Sequence, residues 1–208
     1  MLPADLRSAE LEALAACAEA LAADPRGLWT LELRFEGLRL LPVVLRLARA
    51  LLSGSADLRL LYSDMGATAL ARRDAPDLAE RIASLADERR LQQQGSPSSG
   101  PLLMVGVGAA DADLVEAVCG DHRNGVILIN GSLEDAAVGI GSVARSRRRG
   151  FISRWQAAYA LVPGAVSALR RAYPGPWELY RLDPDGYRPV TTFDHRPDGE
   201  QQAEALAG

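Results

Sequence analysis

The sequence predicts an α/β protein: a doubly wound, mainly parallel sheet with helices on both faces and a C-terminal β-hairpin. Three observations carry this. Short apolar runs alternate with helical patterns along most of the chain, the order that produces right-handed βαβ crossovers. Two of the runs, at 102–107 (LLMVGV) and 126–129 (VILI), fit strands covered on both faces. Toward the C-terminus, two alternating segments, 177–182 and 187–193, flank Asp183-Pro184-Asp185-Gly186. In that turn proline presets φ and glycine accepts a positive one.

In chain order, a helix is predicted over 5–23, with Leu6, Leu11, Leu14, Cys17 and Leu21 as its buried stripe. Asp24-Pro25-Arg26-Gly27 stops it. Residues 29–35 alternate Trp29, Leu31, Leu33 and Phe35 with Thr30, Glu32 and Arg34, and the polar face places this first strand near a sheet edge. After Gly37 comes a helix with Val43, Val44, Leu47 and Leu51, closed by Ser53-Gly54-Ser55, then a strand at 58–62 and a helix at 65–73. Asp77 is read as the cap of a helix over 78–91, with Ile82 and Leu85 inward.

Residues 92–100 (QQQGSPSSG) read as a flexible surface loop inside one domain. After the strand at 102–107, Asp111 or Asp113 caps a helix ending at Cys119-Gly120, and the strand at 126–129 ends at Asn130-Gly131. A loop with Gly139 and Gly141 then leads to a basic helix over 142–155, a strand at 157–162 and, after Pro163-Gly164, a helix at 165–172. The hairpin completes a single domain over residues 1–196, and 197–208 read as a disordered tail.

Composition narrows the function classes. The 208 residues are 48% hydrophobic, enough for a packed core. The net charge of -4 makes nucleic acid an unexpected partner, so any such contact needs a local patch. All 23 basic residues are arginines, which excludes a Walker A lysine and Schiff-base chemistry. Cys17 and Cys119 read as reduced core thiols, and with His122 and His195 the only histidines, no His/Cys metal site is expected. Residues 1–10 lack a signal peptide's apolar run. The apolar stretch 38–52 is interrupted by Arg39, Arg46 and Arg49 and is too short to span a bilayer. The expected setting is the cytoplasm, with no transmembrane segment and no cofactor.

Ligands of doubly wound sheets bind beyond the carboxyl ends of the strands. That rule selects Asp64, Gly66, Gly106, Gly108, Asn130 and Gly131 as one cleft. Gly106-Val107-Gly108 starts like a dinucleotide fingerprint, but Asp111 occupies the third glycine position, and Asp111 and Asp113 bring negative charge where a pyrophosphate would sit. A tight turn capped by aspartate fits better. Asp64 is read as a helix cap or a ligand contact, and Asn130 as a ligand contact or a left-handed turn residue.

Arg145, Arg147, Arg148, Arg149 and Arg154 form an arginine cluster beside Phe151 and Trp155. It reads as an anion or partner surface, or as a solvated helix face paired with Glu134 and Asp135 over a buried Phe151 and Trp155. No G-x-S-x-G, H-E-x-x-H or kinase signature is present.

Several segments together resemble a known family: residues 61–74 (LYSDMGATALARRD), 126–135 (VILINGSLED), 139–163 (GIGSVARSRRRGFISRWQAAYALVP) and 173–187 (YPGPWELYRLDPDGY). The opening LPADLRSAELEA and the helix LRLLPVVLRLA add to it. The likeness is to a cyanobacterial and plastid family of unknown biochemical function. That family includes low-photosystem-II-accumulation type assembly factors and a domain appended to a plastid adenylate kinase. The resemblance implies a cyanobacterial protein of photosystem assembly or maintenance, with photosynthetic complexes as partners and peripheral contact at the thylakoid membrane. It implies no catalytic residues. The expected function is therefore a non-catalytic binding or assembly factor. The alternative is an enzyme or sensor that binds a nucleotide or phosphorylated metabolite in the strand-end cleft.

Overall fold

A computed structural model describes residues 1–54, 57–133 and 142–208. The chain runs α1 (Leu6–Ala23), β1 (Leu28–Leu33), α2 (Leu40–Gly54), β2 (Arg59–Tyr62), α3 (Met65–Asp74), β3 (Ile82–Ser84), α4 (Leu85–Gln93), β4 (Leu102–Val105), α5 (Ala112–Asp121) and β5 (Val126–Ile129). It continues through α6 (Ser142–Ile152), β6 (Trp155–Pro163), β7 (Ser167–Ala172), β8 (Trp177–Asp183), β9 (Gly186–Phe193) and α7 (Gly199–Ala207). Among the described residues these strands form one sheet in the order β3-β2-β4-β5-β1-β6-β7-β8-β9. Pairing is parallel from β3 to β6 and antiparallel from β6 to β9.

The two uninterrupted apolar runs become β4 and β5, buried at every position because helices cover both sides. Leu31, Leu60, Leu103 and Ile127 pack beneath α1, α2 and α3 on the first face. Leu61, Met104, Val126 and Leu128 pack against α4, α5 and Phe151 of α6 on the second. A leucine sealed as completely as Leu103 stabilises the fold by about 2 kcal/mol.

The structure departs from the sequence reading at several elements, each for a long-range reason. In α1 the buried stripe is Ala9, Ala13, Ala16, Cys17 and Ala20, whereas Leu6 and Leu11 are exposed. Small residues let this helix lie close on the sheet. β1 is central rather than near an edge, sitting between β5 and β6. Its polar face survives there because Arg196 forms a two-pronged ion pair with the buried Glu32, at 2.6 and 3.1 Å.

The helix predicted over 78–91 is interrupted. Pro76–Arg81 is a 3-10 turn, Ile82–Ser84 is an extra strand against β2, and Ser84 starts α4 through a capping box with Asp87. Ile82 and Leu85 do face inward, and Asp77 pairs with Arg49 at 2.7 Å. The segment 165–172 is not helical. The Gly164 N–H donates to the Ser167 carbonyl at 2.7 Å in a tight turn, and the next residues pair with β6 and β8 as β7. Cross-strand pairing on both sides outweighs the helix preference of an alanine-containing stretch.

The basic helix ends at Ile152, and Trp155 opens β6 instead. Loop 92–100 is tied down, since Ser98 donates through its N–H and hydroxyl to the fully buried Glu88, at 3.1 and 2.6 Å. Residues 197–208, read as a tail, contain α7, which Asp198 and Gln201 cap and whose Ala205 and Leu206 pack beside Trp177 and Leu179. The 183–186 hairpin forms as expected.

Candidate functional site

The strand tips do converge. β2 feeds α3 on the first face and β4 feeds α5 on the second, so neighbouring strands send their helices to opposite sides. The loop after β4 and the loop after β5 are stitched together: the Gly106 N–H donates to the Ile129 carbonyl at 3.0 Å, and the Ser132 N–H to the Val107 carbonyl at 2.9 Å. Gly106 has φ +63°, a left-handed conformation that glycine adopts without strain.

The polar side chains at these tips are engaged in holding the backbone. Asp64 accepts the Ala67 N–H at 2.8 Å as the cap of α3, with Gly66 in the first turn it starts. Asp111 reaches back to the Gly108 N–H at 3.0 Å. Asn130 is left-handed, with φ +48°, and its amide imitates a strand partner for β1. Its Oδ1 accepts the Leu33 N–H at 2.7 Å and its Nδ2 donates to the Leu33 carbonyl at 2.8 Å. Gly131 leaves no room for a side chain, because a Cβ would lie 2.5 Å from Leu128.

The arginine cluster divides. Arg148 is buried and paired with Asp113 of α5, with Glu116 at 3.9 Å. Arg147 reaches Glu116 at 3.3 Å and Asp113 at 3.8 Å. Arg145, Arg149 and Arg154 face solvent. The expected partners Glu134 and Asp135, and the loop glycines Gly139 and Gly141, lie outside the described residues. Phe151 is buried as expected, and Trp155 meets its ring edge-on at 5.9 Å from the adjoining strand rather than from the same helix.

A cavity of about 530 Å³ on the second face was not foreseen. It lies over β1, β6 and β7, between the end of α6 and residues 194–196. Thr30 and Glu32, the polar face of β1, form part of its wall, and of the six strand-tip residues Gly131 is the one that lines it. β6 carries an extra residue opposite the Thr30/Leu31 step, a bulge of the kind found beside functional clefts. Across the cavity, the guanidinium groups of Arg171 and Arg196 lie 5.8 and 5.3 Å from the centroid of the Trp177 ring. The alternating polarity of 29–35 was the trace of this cavity in the sequence.

Neither cysteine is poised for chemistry: burial pushes both thiols up to about 12. Among the described residues, no group of three or more His, Cys, Asp and Glu side chains could hold a metal ion. A family described as a domain of unknown function, DUF1995, matches residues 3–204, so the chain belongs to that family. Comparison with curated proteins and with solved structures finds no match.

Proposed function

We propose that this member of the family is a non-catalytic binding protein that serves the assembly or maintenance of the photosynthetic apparatus. The observation that supports this most is the state of the strand tips. Asp64, Asp111 and Asn130, the side chains a catalyst would keep for its substrate, hold backbone groups of the fold instead. The alternative, a nucleotide or phosphorylated metabolite at those tips, would have to displace these contacts.

The photosynthetic setting rests on the resemblance of 61–74, 126–135, 139–163 and 173–187 to the assembly-factor family and to the domain appended to a plastid adenylate kinase. The working location is the cyanobacterial cytoplasm with peripheral contact at the thylakoid membrane. Among the described residues no helix is long and apolar enough to cross a membrane, so contact would be made through the surface. Arg149 and Arg154, exposed at the end of α6, suit an acidic protein face.

Affinity capture of the tagged chain from cyanobacterial lysate, with retained proteins identified by mass spectrometry, tests this. Photosystem subunits are expected among them, and fewer with Arg149→Glu and Arg154→Glu. Retention of no photosynthetic protein overturns the proposal.

A further inference from the structure

We propose that the cavity over β1, β6 and β7 is a binding site for a small monoanionic carboxylate carrying a flat apolar group. The first observation is an unpaired cation. Arg171 is half-buried, and its Nε donates to the Ala157 carbonyl at 2.9 Å. Among the described residues no carboxylate lies within 4.0 Å of its guanidinium, although the chain pairs many of its other arginines in this way. A half-buried guanidinium without a carboxylate partner attracts an incoming anion more strongly than one in open water.

The second observation is independent. The Nε1–H of Trp155, which lines the same cavity, is sealed from solvent and has no acceptor. Sealed as it is, this N–H meets a ligand oxygen only when the indole turns toward the cavity, a movement that a bound carboxylate would drive. The Trp155 N–H thus lacks an acceptor, the Arg171 guanidinium lacks a carboxylate, and the remaining wall is partly apolar, through Leu128, Leu133 and Ile152.

The charge balance selects the class of anion. Arg196 is already neutralised by Glu32, and Asp194 adds a negative charge at the rim. One uncompensated arginine facing that rim favours a single negative charge over a phosphate dianion. The planar carboxylate also matches the planar fork of arginine. A volume of about 530 Å³ holds an aromatic or conjugated acid rather than a simple ion. The inference adds a ligand to the binding role proposed above and does not depend on which protein partner is found.

Calorimetric titration with 2-naphthoate, its neutral isostere 2-naphthamide and inorganic phosphate at fixed ionic strength tests it. The carboxylate is expected to bind about tenfold more tightly than the amide, the effect of one charge-assisted contact of about 1.4 kcal/mol. Arg171→Gln should erase that preference, whereas Arg123→Gln, exposed and outside the cavity, should keep it. Trp155→Phe keeps the ring shape and should weaken naphthoate binding alone, with circular dichroism confirming that each variant is folded. Equal binding of acid and amide, no binding of either, or a preference that survives in Arg171→Gln overturns the proposal. Phosphate bound more tightly than naphthoate overturns the choice of anion.

Discussion

Replacing Asn130 by alanine strikes the point where β5 turns away from β1. The substitution removes the acceptor of the Leu33 N–H, at 2.7 Å, and the donor to the Leu33 carbonyl, at 2.8 Å. Leu33 is 1% exposed, so its peptide groups cannot turn to water instead. Two lost hydrogen bonds with buried partners cost about 1–2 kcal/mol each. Placing alanine at φ +48° adds about 1 kcal/mol. The sum is about 3–5 kcal/mol, which in a chain of this size lowers Tm by about 6–20 °C. Asn130→Gly keeps the left-handed backbone and loses only the bonds, so it should fall between wild type and alanine. Asn130→Asp keeps the acceptor but sets a negative charge against the Leu33 carbonyl, and should also destabilise. Thermal unfolding followed by circular dichroism reads all three. An alanine variant that melts with the wild type would refute the view that Asn130 is a structural side chain.

Other predictions concern single sites. Arg170 joins Glu12, at 3.0 Å, to Glu178, at 2.7 Å, while Tyr159 and Tyr180 donate to the same two carboxylates. Arg170→Met leaves both acids partly buried without their cation and should cost about 2–4 kcal/mol by urea denaturation, and a loss below about 0.5 kcal/mol would contradict the network. Burial holds the His122 imidazole below its ordinary 6.5, against the opposing pull of Glu88. The unfolded chain therefore takes up this proton more readily, and stability falls as pH drops below 6.5. His122→Gln should flatten Tm between about pH 7 and pH 5.5, and an unchanged slope would assign the acid sensitivity to other groups. Gly131→Ala sets a methyl group 2.5 Å from Leu128 and should cost about 1–3 kcal/mol. A crystal structure of that variant should show Leu128 displaced at the cavity wall.

Much of the sheet was readable because β4 and β5 are short, apolar throughout and bounded by turn residues, the pattern of strands with both faces covered. The hairpin was readable because its turn chemistry is local. What escaped the sequence depends on contacts between distant residues. Ile82–Ser84 is too short to show a period, and β2 alone makes it a strand. Ser167–Ala172 has the composition of a helix and becomes a strand through pairing on both sides. The leucines of α1 outrank its alanines on any hydropathy scale, yet only alanine lets the helix approach the sheet so closely. The strand-tip residues do lie at strand ends, but their engagement with the backbone depends on partners such as Leu33, 97 positions away. The cavity was hidden because its parts come from β1, the end of α6, β7 and residues 194–196. The polarity of Thr30 and Glu32 looked like exposure to solvent at an edge, when it marks the wall of an internal cleft in a central strand.

The central proposal is that this protein acts through binding in support of the photosynthetic apparatus, without chemistry at its strand tips. Its most direct test is the photosystem II content of a cyanobacterial strain lacking the chain, measured by low-temperature fluorescence and immunoblot, and after return of the wild-type or Asp64→Asn chain. The account predicts a fall below the parent strain and recovery with either version. Unchanged photosystem II on deletion, or recovery with wild type but not with a folded Asp64→Asn chain, would contradict it.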